Sequence, residues 1–300
     1  MRLLVSGSHG LIGSVLVPSF LKSGHHVIRL VRARDRASER EILWDPIAGR
    51  SEAKALEGLD AAVHLAGESI AIGRWTAQQK TRIRESRVRG TRVLCEALAR
   101  LSARPRVLVV ASAIGYYGSR GDAALTEESP PGAGFLADLC QAWEQAVEPA
   151  DQCGIRVVNA RLGIVLSPTG GALGAMLPPF RLGLGGRLGS GRHYMSWVAL
   201  DDVVGAIHHV LRTETLRGPV NVVAPHPVTN REFTRTLGRV IRRPAHVPVP
   251  ACALRFILGE LADDALLASA RVVPEKLQAS RYAFRFPELE PALRHLLQPG

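Results

Sequence analysis

Near the start of the chain, the run Arg2-Leu-Leu-Val-Ser6 leads directly into Gly7-Ser8-His9-Gly10-Leu11-Ile12-Gly13. Glycines therefore fall at i, i+3 and i+6, where a β-type run gives way to a helical one. Each glycine has a separate task in holding a dinucleotide. The first lets the backbone turn sharply, the second lets a pyrophosphate approach the main chain, and the third lets the helix pack on the sheet. The amphipathic stretch Leu11 to Ser23 then aims its free N–H groups at the anion. Glycine triplets are common in loops, so the weight of the pattern comes from its position. The spacing predicts a cradle in which Gly7, Ser8, His9, Gly10, Leu11, Ile12 and Gly13 surround a diphosphate.

Apolar, β-branched runs recur at Leu3–Ser6, His26–Val31, Ala61–Leu65, Val107–Ser112, Arg156–Leu162 and Val220–Val223. Helical patterns lie between them, near Leu11–Ser23, Thr76–Arg100, Phe135–Cys153 and Asp201–Leu211. Such alternation predicts an α/β fold, a doubly wound parallel sheet of the Rossmann type. Past Val165 the pattern breaks into a Gly- and Pro-rich stretch. We therefore expect residues 1–166 to form the dinucleotide-binding domain, with 196–235 returning to it. Residues 167–195 and 236–300 are expected to form a smaller, mostly helical lobe, with the substrate cleft between the two parts.

Composition narrows the partners. The formal charge of +11 invites a nucleic-acid reading, but the basic residues are spread along the chain and no nucleic-acid-binding signature accompanies them. Small anionic ligands account for the charge, and no nucleic-acid partner is expected. No apolar run is long enough to span a bilayer and Arg2 leads straight into a strand, so no membrane is expected and the chain reads as cytoplasmic. The four cysteines form no C-x-x-C pair and the histidines no helical ligand pair, so no metal is expected. Oligomeric state is not encoded in these features.

Cofactor choice is set where the second strand ends. An Asp or Glu there suits the ribose hydroxyl of NAD, whereas an Arg suits the 2′-phosphate of NADP. This strand end offers Arg29, Arg32 and Arg34, while Asp35 comes several residues late. Arg32 is the first choice, which predicts NADP(H); a solvent-facing arginine is the alternative. At the third strand end, the small residues of His64-Leu65-Ala66-Gly67 would let the backbone pass close to the cofactor.

Taken together the chain resembles an extended short-chain dehydrogenase/reductase. It is most similar to the atypical, epimerase-like branch, the YfcH-type family, which carries its own small C-terminal domain. The matching stretches are Leu4 to Gly13, Ala66-Gly67-Glu68, Arg74-Trp75 with Lys80, Ser86-Arg87 with Gly90-Thr91, Ser112-Ala-Ile-Gly-Tyr-Tyr-Gly118, Trp143-Glu144, Leu177 to Gly186, Gly189-Ser-Gly191, Ser196-Trp197 and Asp201-Asp202. The resemblance implies a Rossmann fold, a bound dinucleotide, and Leu65, Ala66, Gly67 and Ser86 among the residues around it. It also implies a small-molecule substrate, a sugar nucleotide among the candidates.

The superfamily's proton-transfer pair is a Tyr followed four residues later by Lys, one helical turn apart. None of the four tyrosines here is followed by lysine at that spacing, and the stretch Phe135 to Cys140 offers neither residue. Hydride transfer still needs a proton partner. The candidates are Ser112 and Tyr117, at the carboxyl end of the Val107–Ser112 run and just past it, with Glu68, Lys80 and Glu144. Ser112 could instead cap its own backbone, and Tyr117 could be a packing aromatic. Asp202 is expected to cap the helix that follows it. Two functions remain open: an NADP(H)-dependent oxidoreductase or epimerase, and a non-catalytic dinucleotide-binding redox sensor.

Overall fold

The computed structural model describes residues 1–32, 41–45, 50–51, 56–71 and 73–298. Its main sheet comprises β1 (Arg2–Ser6), β2 (His26–Val31), β3 (Glu41–Asp45), β4 (Arg50–Ser51), β5 (Ala61–His64), β6 (Val107–Ala113), β7 (Arg156–Leu162) and β8 (Gly218–Val222). The spatial order is β8-β7-β6-β5-β1-β2-β3-β4. All neighbours are parallel except β3 and β4. The chain builds outward from β1 to β3, then returns to lay β5 on the other side of β1. That reversal is the switch point, and the crevice beyond the carboxyl ends of β1 and β5 is where such sheets take ligands.

The helices are α1 (Gly13–Lys22), α2 (Ala77–Ala99), α3 (Phe135–Gln145), α4 (Glu148–Gln152), α5 (Gly171–Arg181), α6 (Leu200–Arg212), α7 (Asn230–Val240), α8 (Ala251–Leu258), α9 (Glu275–Ala279) and α10 (Leu289–Leu297). Successive strand side chains alternate between faces, and both faces here are covered, so the middle strands are largely apolar on both sides. Leu3, Val5, Val63, Val109 and Val158 pack with Leu16 and Phe20 of α1 and Val203 and Ile207 of α6. Leu4, Leu108, Val110 and Val157 pack on the other face with Leu94 and Leu98 of α2 and Trp143 of α3. Each such fully buried side chain contributes roughly 1.5–3 kcal/mol relative to exposure.

A third core joins Leu173 and Leu177 of α5, Trp197, Phe233 and Leu237 of α7, and Ala292 and Leu293 of α10. α7 is capped by Thr229, whose hydroxyl accepts from the Glu232 amide at 3.3 Å. It runs unbroken through residues 235 and 236, so the limit expected there falls inside a helix that packs into this third core.

Three further departures from the sequence reading have local causes. β3 and the short β4 extend the sheet beyond β2, where no strand was expected. The single helix anticipated over Phe135–Cys153 is two, α3 and α4, separated at Ala146 and Val147 just ahead of Pro149, which sits in the first turn of α4. Asp202 does not cap α6. Ala199 occupies the cap position with no side-chain bond, and the Asp202 carboxylate instead accepts from the amides of Arg285 and Phe286 at 2.7 and 2.9 Å and from the Tyr282 hydroxyl at 3.1 Å. Among the described residues no helix is long and apolar enough to cross a membrane.

Candidate functional site

At the end of β1 the backbone of Gly7 turns with φ of +69°, a conformation that favours glycine. A β-carbon on Gly7 would come within 2.8 Å of the Ala66 nitrogen, and one on Gly13 within 2.2 Å of the Gly7 oxygen. Both positions are closed to any side chain. Gly10 differs, because it is exposed and a β-carbon there would meet the Gly7 oxygen alone, at 3.3 Å. Its open side is the one a diphosphate would use. α1 begins with no side-chain cap and no acidic residue in its first turn. The amides of Leu11, Ile12 and Gly13 meet no acceptor among the described residues. An uncapped, acid-free helix start suits an anion. Ser8 is buried and His9 exposed beside it.

The floor of this cradle is pinned from β5. The buried Ser6 hydroxyl lies 2.6 Å from His64 Nδ1 and accepts from the amides of Leu65 and Ala66 at 3.2 and 3.3 Å. Those bonds hold Leu65-Ala66 against Gly7. Burial pushes the His64 imidazole down to about 4, so the ring is neutral at ordinary pH. At the adjoining strand end, Arg32 is the first residue past β2 and is exposed. Arg34 and Asp35 lie outside the described residues. Gly67 is exposed beyond β5, and the Ser86 hydroxyl of α2 accepts from the Glu68 amide at 3.0 Å.

A row of polar side chains crosses the carboxyl end of the sheet further along. Ser112 of β6, Arg161 of β7 and Asn221 of β8 are in register. None is more than 3% exposed. Arg161 donates through Nε and Nη2 to the two oxygens of Glu144 on α3, both at 2.8 Å, and through Nη1 to the Tyr117 hydroxyl at 2.9 Å. Ser112 donates to Glu144 Oε1 at 2.7 Å, and Tyr117 donates to Asn221 Oδ1 at 2.7 Å. Buried charges need this kind of pairing. Burial opposes the charge on Arg161, but Glu144 and Tyr117 more than offset it and its pKa rises. Burial pushes the Tyr117 phenol up to about 12. Glu127 closes the row. Its Oε1 accepts from the amides of Asn221 and Lys276, while burial raises its carboxyl pKa.

Of the catalytic candidates, the structure brings Ser112, Tyr117 and Glu144 into one network. Lys80 sits apart on the first turns of α2, where its ammonium pairs with Glu260 and lies 5.1 Å above the Phe135 ring. Glu68 is half-buried beside Ser86. The sequence reading passed over two residues. Tyr116 lays its ring 3.5 Å from the Arg161 guanidinium, and its hydroxyl has no hydrogen-bond partner among the described residues. Arg161 itself was legible as an arginine near the end of a β-type run, where burial demands a partner. The Trp143 indole is buried and donates to Thr91 at 2.9 Å, a packing role.

A reversing parallel sheet with a glycine-bounded, uncapped helix start at its switch point defines a Rossmann-type nucleotide-binding fold. The chain belongs to the NAD dependent epimerase/dehydratase family, whose model matches residues 3–243, and a domain of unknown function (DUF1731) matches residues 249–296. An epimerase family protein of Mycobacterium bovis is 45% identical over 99% of this chain and 98% of its own length. The crystal structure of human epimerase family protein SDR39U1 (isoform 2) with NADPH superimposes with a TM-score of 0.91 at 34% identity, covering 100% of both chains. A nucleoside-diphosphate sugar epimerase from Corynebacterium glutamicum matches 99% of this chain and 58% of its own, with a TM-score of 0.80 at 35% identity.

Proposed function

We propose that the chain binds NADP(H) along the carboxyl edge of its sheet and works as an atypical short-chain oxidoreductase or epimerase on a small, sugar-nucleotide-like substrate. The observation that carries this reading is the acid-free, uncapped start of α1 behind Gly7 and Gly13, with an exposed Arg32 at the neighbouring strand end. The human relative crystallised with NADPH supports the same choice of cofactor.

When bound, the cofactor supplies a hydride donor or acceptor. The Leu11 and Ile12 amides would hold its diphosphate, Arg32 its 2′-phosphate, and Leu65, Ala66 and Gly67 would give its ribose a close backbone wall. Ser86 fixes the turn at Glu68. Ser112, Glu144 and Arg161 lock the end of β6 to α3, so substrate-side groups rest on a rigid base. Tyr116, whose ring lies over Arg161 and whose hydroxyl has no partner among the described residues, is the phenol suited to hold a proton at a substrate oxygen. Trp75, Phe135 and Leu261 pack together beside α3 and exclude water from that flank.

The alternative is a non-catalytic sensor of the NADPH/NADP⁺ ratio. It is favoured by one fact: the hydroxyls of Ser112 and Tyr117 and the Glu144 carboxylate are already engaged with one another or with Arg161 and Asn221. Stopped-flow and steady-state turnover with NADPH or NADP⁺ against a panel of sugar nucleotides and simple carbonyls separates the readings. Turnover with any member supports the enzyme. Tight cofactor binding with no turnover on the whole panel would leave the sensor.

A further inference from the structure

Charged residues stand where four strands of the main sheet begin. Asp60 immediately precedes β5, Arg106 precedes β6, Arg156 opens β7 and Arg217 precedes β8. These strands are parallel neighbours, so positions far apart in the sequence fall in a row along the amino edge of the sheet. The Arg106 amide donates to the Asp60 oxygen at 3.0 Å and the Arg156 amide to the Arg106 oxygen at 3.1 Å, which fixes the row. Arg212 joins it as the last residue of α6. This edge is the opposite one from the nucleotide cradle, with the length of β6, roughly 20 Å, between them.

Together these residues line an open cavity of about 600 Å³, which also takes in Glu214. That volume is in the range of small-molecule sites. Arg156 is committed to the protein. It is half-buried, donating through Nη1 to the Leu216 oxygen at 2.7 Å and through Nη2 to the Val210 and Leu211 oxygens at 3.1 and 3.4 Å. Those bonds satisfy carbonyls in the last turn of α6 and in the loop after it. Arg106, Arg212 and Arg217 differ. All three are exposed, and among the described residues their guanidiniums make no hydrogen bond or ion pair.

The carboxylates do not neutralise this row. Asp60 Oδ2 already accepts from the Arg2 amide at 2.7 Å. Burial opposes the charge on Arg156; the exposed Glu214 supports it, and Arg217 opposes it. Four guanidiniums thus share one concavity with two carboxylates. Neighbouring strands lie about 4.8 Å apart, so like charges held at their starts repel one another. A guanidinium offers five N–H donors in a fork that matches phosphate oxygens. Three such forks with unused donors, two at strand starts and one at the end of α6, suit an anion with more than one phosphoryl group.

We propose that the amino edge of the sheet is a second ligand site, in which Arg106, Arg212 and Arg217 bind a small molecule carrying two or more linked phosphoryl groups. The site shares no residue with the cofactor crevice, so it stands apart from the NADP(H) reading. The test is calorimetry with magnesium-free inorganic tripolyphosphate and ATP at about 0.15 M salt, with and without saturating NADPH. The proteins are the unsubstituted chain, Arg106→Gln/Arg217→Gln, Arg212→Gln, Arg32→Ala and Arg84→Gln/Arg235→Gln. The last of these removes charge from exposed positions on α2 and α7 instead. Arg156 is left intact because it holds the end of α6.

Tripolyphosphate is expected to bind the unsubstituted protein whether or not NADPH is present, and to bind Arg106→Gln/Arg217→Gln about 10- to 100-fold more weakly. Arg212→Gln should weaken it by about 3- to 10-fold, while Arg32→Ala and Arg84→Gln/Arg235→Gln stay within about twofold. The substituted side chains are exposed, so melting midpoints without the anion should stay within about 3 °C of the original. ATP binding tighter than tripolyphosphate would mark the ligand as a nucleotide, and equal or weaker binding as free polyphosphate; either supports the site. No uptake by the unsubstituted protein overturns it, and so does equal weakening in Arg84→Gln/Arg235→Gln. Tripolyphosphate that NADPH displaces and that Arg106→Gln/Arg217→Gln still binds would also overturn it, because the anion would then lie in the cofactor cradle.

Discussion

The Ser6 hydroxyl and His64 Nδ1 meet at 2.6 Å across neighbouring strands, directly below the nucleotide cradle. Since the hydroxyl also accepts from two amides, its proton goes to the imidazole, and the ring proton sits on Nε2. Among the described residues that atom has no hydrogen-bond partner, and the ring meets Trp44 edge-on at 5.7 Å. The ring therefore belongs in its neutral form.

A pH dependence follows from this. The folded pKa of about 4 lies below the ordinary 6.5. The unfolded chain thus binds the proton more readily, and the stability tied to the neutral ring is complete above about pH 6.5 and is lost as pH falls toward about 4. The loss amounts to about 3 kcal/mol at most. Urea midpoints measured near about pH 7 and about pH 4.5 should differ clearly in the unsubstituted protein and much less in His64→Gln. Equal differences in the two proteins would remove His64 as the cause.

Arg32→Ala should cut the preference for NADPH over NADH by about 10- to 100-fold while leaving NADH affinity nearly unchanged, because the two cofactors differ at the 2′-phosphate. Paired titrations of the two dinucleotides on each protein decide it. An unsubstituted protein that binds both equally would contradict the assignment.

The cradle glycines should separate by readout. Gly13→Ala drives a β-carbon into the Gly7 oxygen and should cost about 3 kcal/mol or more of folding stability. Gly10→Ala meets little in the protein and should unfold within about 1 kcal/mol of the original, yet bind NADPH at least about tenfold more weakly. Thermal melts with and without nucleotide distinguish the two. A Gly10→Ala protein with unchanged affinity would mean the diphosphate lies elsewhere.

Glu144→Gln leaves Arg161, 3% exposed at its side chain, without its carboxylate and should cost about 3–5 kcal/mol. Ser112→Ala removes a single hydrogen bond and should cost about 1 kcal/mol. Both act through Glu144, so the double variant should lose less than the sum. Strict additivity in urea unfolding would show that Ser112 does not act through that carboxylate.

What the sequence made legible was contiguous. The cradle lies in one stretch of spaced glycines, and the alternation of strands and helices carried the fold class. β3 was missed because Glu41–Asp45 is short, polar at both ends and preceded by a charged stretch, so no period stands out. α7 had a signal that went unused, since Thr229 and Glu232 form the T-x-x-E start of a helix. The polar row could not be seen, because Ser112, Glu144, Arg161 and Asn221 come from separate elements and meet through register and packing. The absence of the Tyr-x-x-x-Lys spacing was visible in the sequence.

Asp202 sits at 1% exposure in the first turn of α6, and its donors come from Tyr282, Arg285 and Phe286. A protein cut before Tyr282 would leave that carboxylate without these three donors. The tail that bears the uncharacterised module is therefore a structural keystone of the nucleotide-binding half rather than a detachable accessory.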